Sequence, residues 1–248
     1  MNHIKEYASD LGIELTDEMI DRFEEYYRLL IEKNKVMNLT AITDEEEVVQ
    51  KHFIDSLAVY AAVPQFKDAV KSGHAKLLDL GTGAGFPGIP LKIAFPDIDV
   101  TLLDSLGKRV RFLDEVIDAL ALEDIRAYHA RAEYAAFDNS IKTGDGQDVK
   151  NVKLRGSFDM VVSRAVAKID HLSELSLAFV KKNGYFIAYK ALSVEEELAG
   201  SYDIIKRMGG SFEGVNKIVI PGLGQERSFV VIKKTGDTPK KYPGKPGR

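Results

Sequence analysis

The sequence predicts an α/β fold, a mainly parallel seven-stranded sheet that ends in an antiparallel hairpin and follows a helical N-terminal extension. In the first part of the chain, apolar residues recur at helical spacing. From residue 76 onward, short apolar runs alternate with amphipathic segments, as they do in βαβ units. The last two apolar runs are joined by a short turn without a helix, which is typical of a hairpin.

The N-terminal helices are predicted from their end signals. The first helix is expected to end at Gly12, and the second to begin after Thr16, whose hydroxyl can cap the first turn. Thr43 and Glu46 form a capping-box pattern. This pattern predicts a third helix that stops near Pro64.

The α/β core is expected to alternate strands and helices up to the hairpin. The predicted strands are 76–80, 97–103, 125–129, 158–163, 184–189, 215–220 and 228–232. The predicted helices between them are 89–94, 108–122, 171–181 and 194–208.

These elements are assigned to one domain, residues 1–235, with the extension over 1–72 and the core over 73–235. Residues 236–248 are expected to form a basic C-terminal tail. The polar segment 138–151 contains two glycines and shows no periodicity, so an exposed loop insertion is predicted there.

Composition excludes several classes of protein. The chain has 248 residues, with 34 Lys and Arg against 38 Asp and Glu, and a formal net charge of −4. This balance disfavours nucleic-acid binding through global positive charge. The absence of cysteine excludes thiolate zinc sites and a cysteine nucleophile. Without a secretory signal or a long apolar window, a cytoplasmic protein that spans no membrane is expected.

A glycine cluster between the first strand and the next helix is the clearest sign of a ligand site. Glycines let a ligand approach backbone N–H groups, and the following helix N-terminus adds partial positive charge. Gly83, Gly85 and Gly88 satisfy the dinucleotide pattern GxGxxG, with Asp104 placed as a ribose-binding acid would be. Read from Asp79, the same segment is acid-x-Gly-x-Gly-x-Gly, the loop of S-adenosylmethionine-dependent methyltransferases. We favour the second interpretation because a pyrophosphate would be repelled by the Asp79 carboxylate.

Further candidates follow later strands of the predicted sheet. Asp104 can accept hydrogen bonds from both ribose hydroxyls, or it can cap the next helix. Ala132 and Glu133 follow the third strand, beside the place where an adenine would lie. Arg164 follows the fourth strand, where its side chain is expected to face the site or to pair with a nearby carboxylate.

Seven motifs spread over almost the whole chain carry a resemblance to a known family. They are residues 38–42, 51–57, 79–90, 107–110, 131–133, 163–167 and 238–243. The chain resembles the bacterial 16S (small-subunit) ribosomal RNA guanine-N7 methyltransferases, also called glucose-inhibited division protein B. Departures from the family pattern are the 138–151 segment, Ala130 in place of a common glycine, and Gly244 in place of a more usual arginine.

The resemblance implies a Rossmann-like class I S-adenosylmethionine-dependent methyltransferase that modifies one guanine of small-subunit rRNA at N7. It also implies a cofactor site, which agrees with the residue-based candidates Asp79 and Gly83. The implied site residues are Gly81, Phe86, Asp104, Ser105, Leu106, Ala132, Glu133 and Arg164.

Guanine N7 carries a lone pair and no proton, so its methylation needs no general base, and no catalytic residue is assigned. No histidine spacing suggests a metal site. Basic residues beside the pocket and in the tail are candidate RNA contacts, although a solvated helix face and a free chain end are equally ordinary interpretations. These candidates are Lys108, Arg109, Lys240, Lys241 and Lys245.

Two other functions stay open at this point. GxGxxG followed by Asp104 also permits an NAD-dependent oxidoreductase. The scarcity of candidate catalytic groups permits a noncatalytic RNA-binding assembly factor. The partner expected from the resemblance is small-subunit rRNA or a ribosomal particle, and cofactor binding and methyl transfer separate the three functions.

Overall fold

The computed structural model describes residues 1, 3–137, 141–164, 167–191 and 194–244. Its strands are β1 (Lys76–Leu80), β2 (Asp99–Asp104), β3 (Ile125–His129), β4 (Phe158–Ser163), β5 (Val180–Lys190), β6 (Gly210–Val219) and β7 (Glu226–Lys234). The α-helices in these ranges are α1 (Ile4–Asp10), α2 (Asp17–Met37), α3 (Glu45–Val48), α4 (Asp55–Ala62), α5 (Pro64–Lys71), α6 (Gly88–Ala94), α7 (Gly107–Ala119), α8 (Ala132–Ala135), α9 (Ile169–Ser176), α10 (Glu195–Ala199) and α11 (Tyr202–Arg207). A π-helical segment (Val49–Ile54) joins α3 to α4.

The strands form one sheet in the order β3-β2-β1-β4-β5-β7-β6. Strands β1 to β5 are parallel, and β7 is antiparallel to both of its neighbours, β5 and β6. The predicted Rossmann-like sheet with a C-terminal antiparallel hairpin is therefore confirmed. Strands β1, β3 and β4 have the predicted bounds.

Apolar side chains cover both faces of this sheet. Along β1, Leu77 packs with the helical extension, while Leu78 and Leu80 pack with the cluster under α9. This alternation follows from the two-residue period of a strand, and it leaves the strand ends as the accessible edges of the sheet. In the described part of the chain, no helix combines the length and the apolar character that a bilayer crossing requires.

The N-terminal helices differ from the prediction in two places. The Thr16 hydroxyl does cap α2, accepting from Met19 N at 3.2 Å. The capping box at Thr43 was wrong, because the neighbouring Asp44 caps α3 through its carboxylate. The predicted stop near Pro64 is confirmed, because α4 ends at Ala62, but a further helix, α5, which was not predicted, begins at Pro64, since proline needs no N–H bond at the first position of a helix.

Two predicted core helices were also too long. Residues 177–180 are all buried, so they have no polar face for a surface helix, and the chain enters β5 at Val180. The predicted helix 194–208 is divided into α10 and α11 at Gly200 and Ser201. The short helix α8 was not predicted.

The insertion is more ordered than an exposed loop. Residues 138–140 lie outside the described residues, but Lys142 bridges to His129 at the end of β3, and Ile141 is buried. The backbone of Gly144 packs so closely on α7 that an added Cβ would meet the Arg111 backbone at 2.9 Å. The expectation of a wholly exposed segment was therefore wrong for these residues.

The helical extension covers the glycine loop from one side. The Tyr26 hydroxyl of α2 donates to the Ala84 carbonyl at 2.6 Å. The Phe86 ring lies 5.4 Å from Tyr26 and 6.1 Å from Phe53, measured between ring centroids. These aromatic contacts fix the loop between the extension and the sheet.

Candidate functional site

A cleft of about 360 Å³ opens where the parallel strands β1, β2 and β4 end, the edge at which open α/β sheets bind ligands. Its walls come from the ends of these strands, the start of α8 and the inner side of α9. The lining residues are Leu80, Gly81, Leu103, Asp104, Ser105, Arg109, Ala130, Arg131, Ala132, Glu133, Ser163, Ala167, His171, Leu172 and Leu175.

The glycine loop has an open side. Gly81 and Gly83 adopt φ angles of +74° and +63°, a region that favours glycine. A Cβ added at either position would have no protein atom within 4 Å. Gly81 lines the cleft, and the Gly83 N–H donates to Asp104 Oδ2 at 2.9 Å. The loop therefore presents bare backbone to the space that a ligand would fill.

Asp79 holds this loop from beneath. Its buried Oδ2 accepts from the Thr82 hydroxyl at 2.6 Å and from the Gly88 N–H at 2.8 Å. Its Oδ1 is buried and has no hydrogen-bond partner. Burial raises the pKa of Asp79 to about 6, against the opposing effects of these two hydrogen bonds. Asp79 is not part of the cleft wall.

Asp104 lies on the cleft wall, but it is not the N-cap of α7, which is Leu106. The Asp104 Oδ1 accepts from Leu106 N at 2.8 Å where α7 begins. Its Oδ2 receives the Gly83 N–H, and Arg109 Nη1 lies 3.5 Å from the same oxygen. The carboxylate thus ties the glycine loop to the start of α7 from a position on the cleft wall.

The other predicted cofactor contacts are divided between the wall and its surroundings. Ser105, Ala132 and Glu133 lie on the wall. Leu106 is 42% exposed next to Ser105 but does not line the cleft. Arg131 was not predicted as a contact, yet it lies on the wall, where its Nη2 is 3.2 Å from Glu133 Oε1.

Arg164 lies outside the residues that line the cleft, and it takes the other role expected of it, pairing with a carboxylate. Its Nη1 lies 2.9 Å from Oδ2 of Asp55, whose side chain is fully buried at the start of α4. Its guanidinium lies 5.0 Å from the centroid of the Phe86 ring. Phe86 also stays outside the wall and packs against the extension. The fourth strand contributes Ser163 to the cleft instead, with its hydroxyl donating to the Leu80 carbonyl at 2.9 Å.

A buried ionic cluster therefore joins the extension to the sheet. Asp55 Oδ1 accepts from Arg227 Nε at 2.6 Å, and its Oδ2 pairs with Arg164. His52 stacks on Phe86 at 4.6 Å between centroids, and burial, helped by the Arg164 charge, lowers its pKa to about 4. Asp55 and Arg227 carried no sequence signal that predicted their pairing, because they lie 172 positions apart.

The candidate RNA contacts are on two surfaces. Lys108 is exposed at the start of α7, and Arg109 lines the cleft. Lys240 and Lys241 are exposed in the tail. Lys245 lies outside the described residues.

The tail is attached to the core as far as it is described. Arg155 Nη1 donates to the Tyr242 carbonyl at 2.8 Å. The N–H of Gly244 donates to Glu174 Oε1 at 2.7 Å. The backbone of the tail is therefore anchored at these two points.

The cleft fits an S-adenosylmethionine molecule. Its volume falls within the range of about 300–1,000 Å³ that is typical of small-molecule sites. The open backbone at Gly81 and the Asp104 carboxylate, both on the cleft wall, are features that a cationic nucleoside would use. Over the same described ranges, no group of three or more His, Asp or Glu side chains is arranged to hold a metal ion.

The comparisons with known proteins identify the family. A family model described as rRNA small subunit methyltransferase G matches residues 19–221. A relative from Lachnoclostridium phytofermentans, named Ribosomal RNA small subunit methyltransferase G, is 48% identical over 239 residues, 95% of this chain and 91% of its own length. The chain belongs to this family. A Bacillus velezensis relative of the same name is 44% identical over 248 residues, 99% of this chain and 96% of its own.

Family membership confirms the class I methyltransferase fold and S-adenosylmethionine as cofactor, and it does not favour an oxidoreductase. Among solved structures, M. jannaschii TYW2 in complex with AdoMet is similar with a TM-score of 0.49 and 17% identity, over 68% of this chain and 73% of that one. TrmN from Thermus thermophilus has a TM-score of 0.49 and 16% identity, over 75% and 53%.

The Asp79 carboxyl makes a testable contribution to the pH dependence of stability. Its pKa rises from 3.8 to about 6 on folding, so the folded state retains a proton that the unfolded state releases. This stabilisation is present below pH 4 and is lost as the pH rises through 6. We expect the free energy of unfolding of the wild type, relative to Asp79→Asn, to fall by up to about 3 kcal/mol over that window.

Urea denaturation of both proteins from pH 4 to pH 7 measures this difference. His52 acts in the opposite direction, because its lowered pKa costs stability as the pH falls, but it is common to both proteins and cancels. A difference in unfolding free energy that does not change with pH would contradict the assignment.

Proposed function

We propose that this protein transfers the methyl group of S-adenosylmethionine to N7 of a guanine in small-subunit rRNA. The observation that carries the proposal is the cleft, where the bare backbone of Gly81 and the Asp104 carboxylate meet on one wall. The names of the curated relatives support ribosomal RNA as the substrate.

The cofactor contacts follow from the positions of the wall residues. We assign Asp104 to the ribose hydroxyls, since each of its oxygens has a second lone pair besides its backbone bond. Ala132 and Glu133 flank the adenine, and Gly81 leaves room for the amino-acid portion. Asp79 and Gly83 hold the loop. Phe86 and Arg164 support that loop from the side of the extension.

When bound, S-adenosylmethionine supplies an electrophilic methyl group on a sulfonium. Guanine N7 offers a lone pair without a proton, so the chain need not provide a base. Its contribution is to hold the two reactants in line and at contact distance, and to exclude water from the cleft. The rigid attachment of the loop to Asp79, Asp104 and Tyr26 suits this role.

The substrate must expose its base. The major groove of A-form RNA is too narrow for N7 to reach a protein cleft, so the target guanine lies in a loop or is unstacked. Lys108 and Arg109 stand at the rim of the cleft, where they can meet phosphates next to that base. Such a substrate places the protein in the cytoplasm.

Transfer of a labelled methyl group tests the enzyme against a noncatalytic assembly factor. The protein is incubated with labelled S-adenosylmethionine and unmodified small-subunit rRNA, or with small subunits. We expect label in RNA with the wild type and none with Gly81→Val, whose side chain would enter the cleft. RNA binding by the wild type without transfer to either substrate would favour the assembly factor. A thermal melt of the variant confirms that it is folded.

A further inference from the structure

A second cavity with basic walls lies at the opposite edge of the sheet from the cleft. It has a volume of about 340 Å³, and we call it the basic pocket. Arg155 and Gly156 before β4, the first residues of β5, the end of β7 and the tail form its walls. Its charged lining residues are Arg155, Lys181, Lys182, Lys234, Asp237 and Lys240.

The chain builds this pocket from fixed parts. Lys234 is buried at the end of β7, where its Nζ donates to the Leu177 carbonyl at 2.8 Å and the Met208 carbonyl at 2.6 Å. Arg155 Nη2 donates to the Thr238 carbonyl at 3.1 Å, which holds the tail against the core just before Lys240. The backbone next to Lys240 is therefore held against the core.

In the described part of the chain, two of the lysines that line the pocket have no acidic partner. Five cationic residues line it, with Asp237 as the one acid among the lining residues given above. Lys181 pairs with Asp159. Lys182 and Lys240 are exposed, and within the described ranges neither has a carboxylate at ion-pair distance. In a chain of net charge −4, such a concentration of cations selects for an anion.

The positive charge of the buried Lys234 is also incompletely balanced. Burial and the nearby Arg155 charge lower the pKa of Lys234 to about 8, with only a smaller opposing effect from Asp237. Carbonyl oxygens satisfy the hydrogen bonds of an ammonium group but do not cancel its charge. An anion held between Lys182 and Lys240 would relieve this repulsion.

We propose that the basic pocket binds a backbone phosphate of the RNA substrate at a distance from the methylated base. The inference rests on the proposed function, because it takes RNA as the partner. Strand β4 runs from beside the pocket to Ser163 in the cleft, about 20 Å over its six residues. Ribosomal RNA is far longer than this distance, so one substrate is long enough to contact both sites.

The test uses a double variant that carries both Lys182→Gln and Lys240→Gln. It is compared with a control double variant that carries Lys35→Gln and Lys71→Gln. The control lysines are exposed on α2 and α5, and both variants lose the same charge. Binding of in-vitro transcribed small-subunit rRNA is measured over a salt series. We expect the pocket variant to bind about tenfold more weakly, with the slope of log K against log salt reduced by about 2.

Two further measurements separate the possible failures. Affinity for S-adenosylhomocysteine should be unchanged in both variants, which shows that the cleft is intact. Titration with inorganic phosphate tests a free anion as the ligand. If the pocket variant lost phosphate binding but bound RNA as the wild type does, the proposal would be overturned. An RNA salt slope equal to that of the control would also overturn it. If the pocket variant lost RNA binding while the wild type transferred no methyl group to RNA, only the proposed function would be refuted.

Discussion

Replacing Asp104 with alanine is expected to weaken S-adenosylmethionine binding by on the order of 100-fold, since a hydrogen bond to a charged group contributes about 1.5–3 kcal/mol. The variant loses the proposed ribose acceptor and also frees the Gly83 and Leu106 N–H groups that this carboxylate now holds. Isothermal titration with S-adenosylmethionine and with S-adenosylhomocysteine measures the effect.

Asp99→Ala is the matched control for this change. Asp99 begins the same strand, β2, at the opposite edge of the sheet, where it pairs with Arg126 at 2.8 Å. Asp104→Asn should bind with intermediate affinity, because it keeps one acceptor oxygen but not the charge. Wild-type affinity in Asp104→Ala would remove this residue from the cofactor site.

Removal of the Asp55 carboxylate is expected to have the largest effect on stability. Asp55→Ala leaves the Arg164 and Arg227 guanidinium groups without their shared partner between the extension and the sheet. Because Asp55 is fully buried while both arginines keep some exposure, we expect a loss of about 3 kcal/mol in unfolding free energy. Urea denaturation at pH 7 measures it.

The control for this prediction is Asp68→Ala on the exposed side of α5, which should change stability by less than about 0.5 kcal/mol. Asp55→Asn should fall between the two, since it still accepts a hydrogen bond but leaves two cations without a counter-charge. If Asp55→Ala were as stable as the control, the ionic cluster would not hold the extension on the core.

Local patterns were sufficient to predict the sheet and its ligand edge. The apolar runs of β1, β3 and β4 lie between clear turn signals, and their observed bounds match the prediction. The glycine loop was predicted because the residues that its backbone conformation requires lie within one short stretch of the sequence. Asp104 was found because it ends the neighbouring strand, which places it near the loop in any parallel sheet.

Features that depend on distant partners were not predictable in this way. A charged residue at a strand end can turn toward a ligand or toward a carboxylate, and Arg164 turns toward Asp55, 109 positions away. Asp44 caps α3, while the carbonyl of the neighbouring Thr43 accepts from the Tyr27 hydroxyl at 3.1 Å. Sequence spacing contains neither of these tertiary contacts.

The basic tail illustrates the same limit. Its composition is that of a solvated chain end, and composition alone left its attachment open. Arg155 and Glu174 hold its backbone at Tyr242 and Gly244. Only the folded chain brings Lys240 to the pocket that Lys182 also lines, at the start of β5.

The position of the transferred methyl group decides whether this protein modifies guanine N7. RNA methylated by the wild-type protein is reduced with borohydride and treated with aniline, which cleaves the strand at 7-methylguanine. We predict cleavage at a single guanine of small-subunit rRNA, with label recovered as 7-methylguanine after hydrolysis. Label recovered on another atom or another base, with no cleavage, would contradict the account.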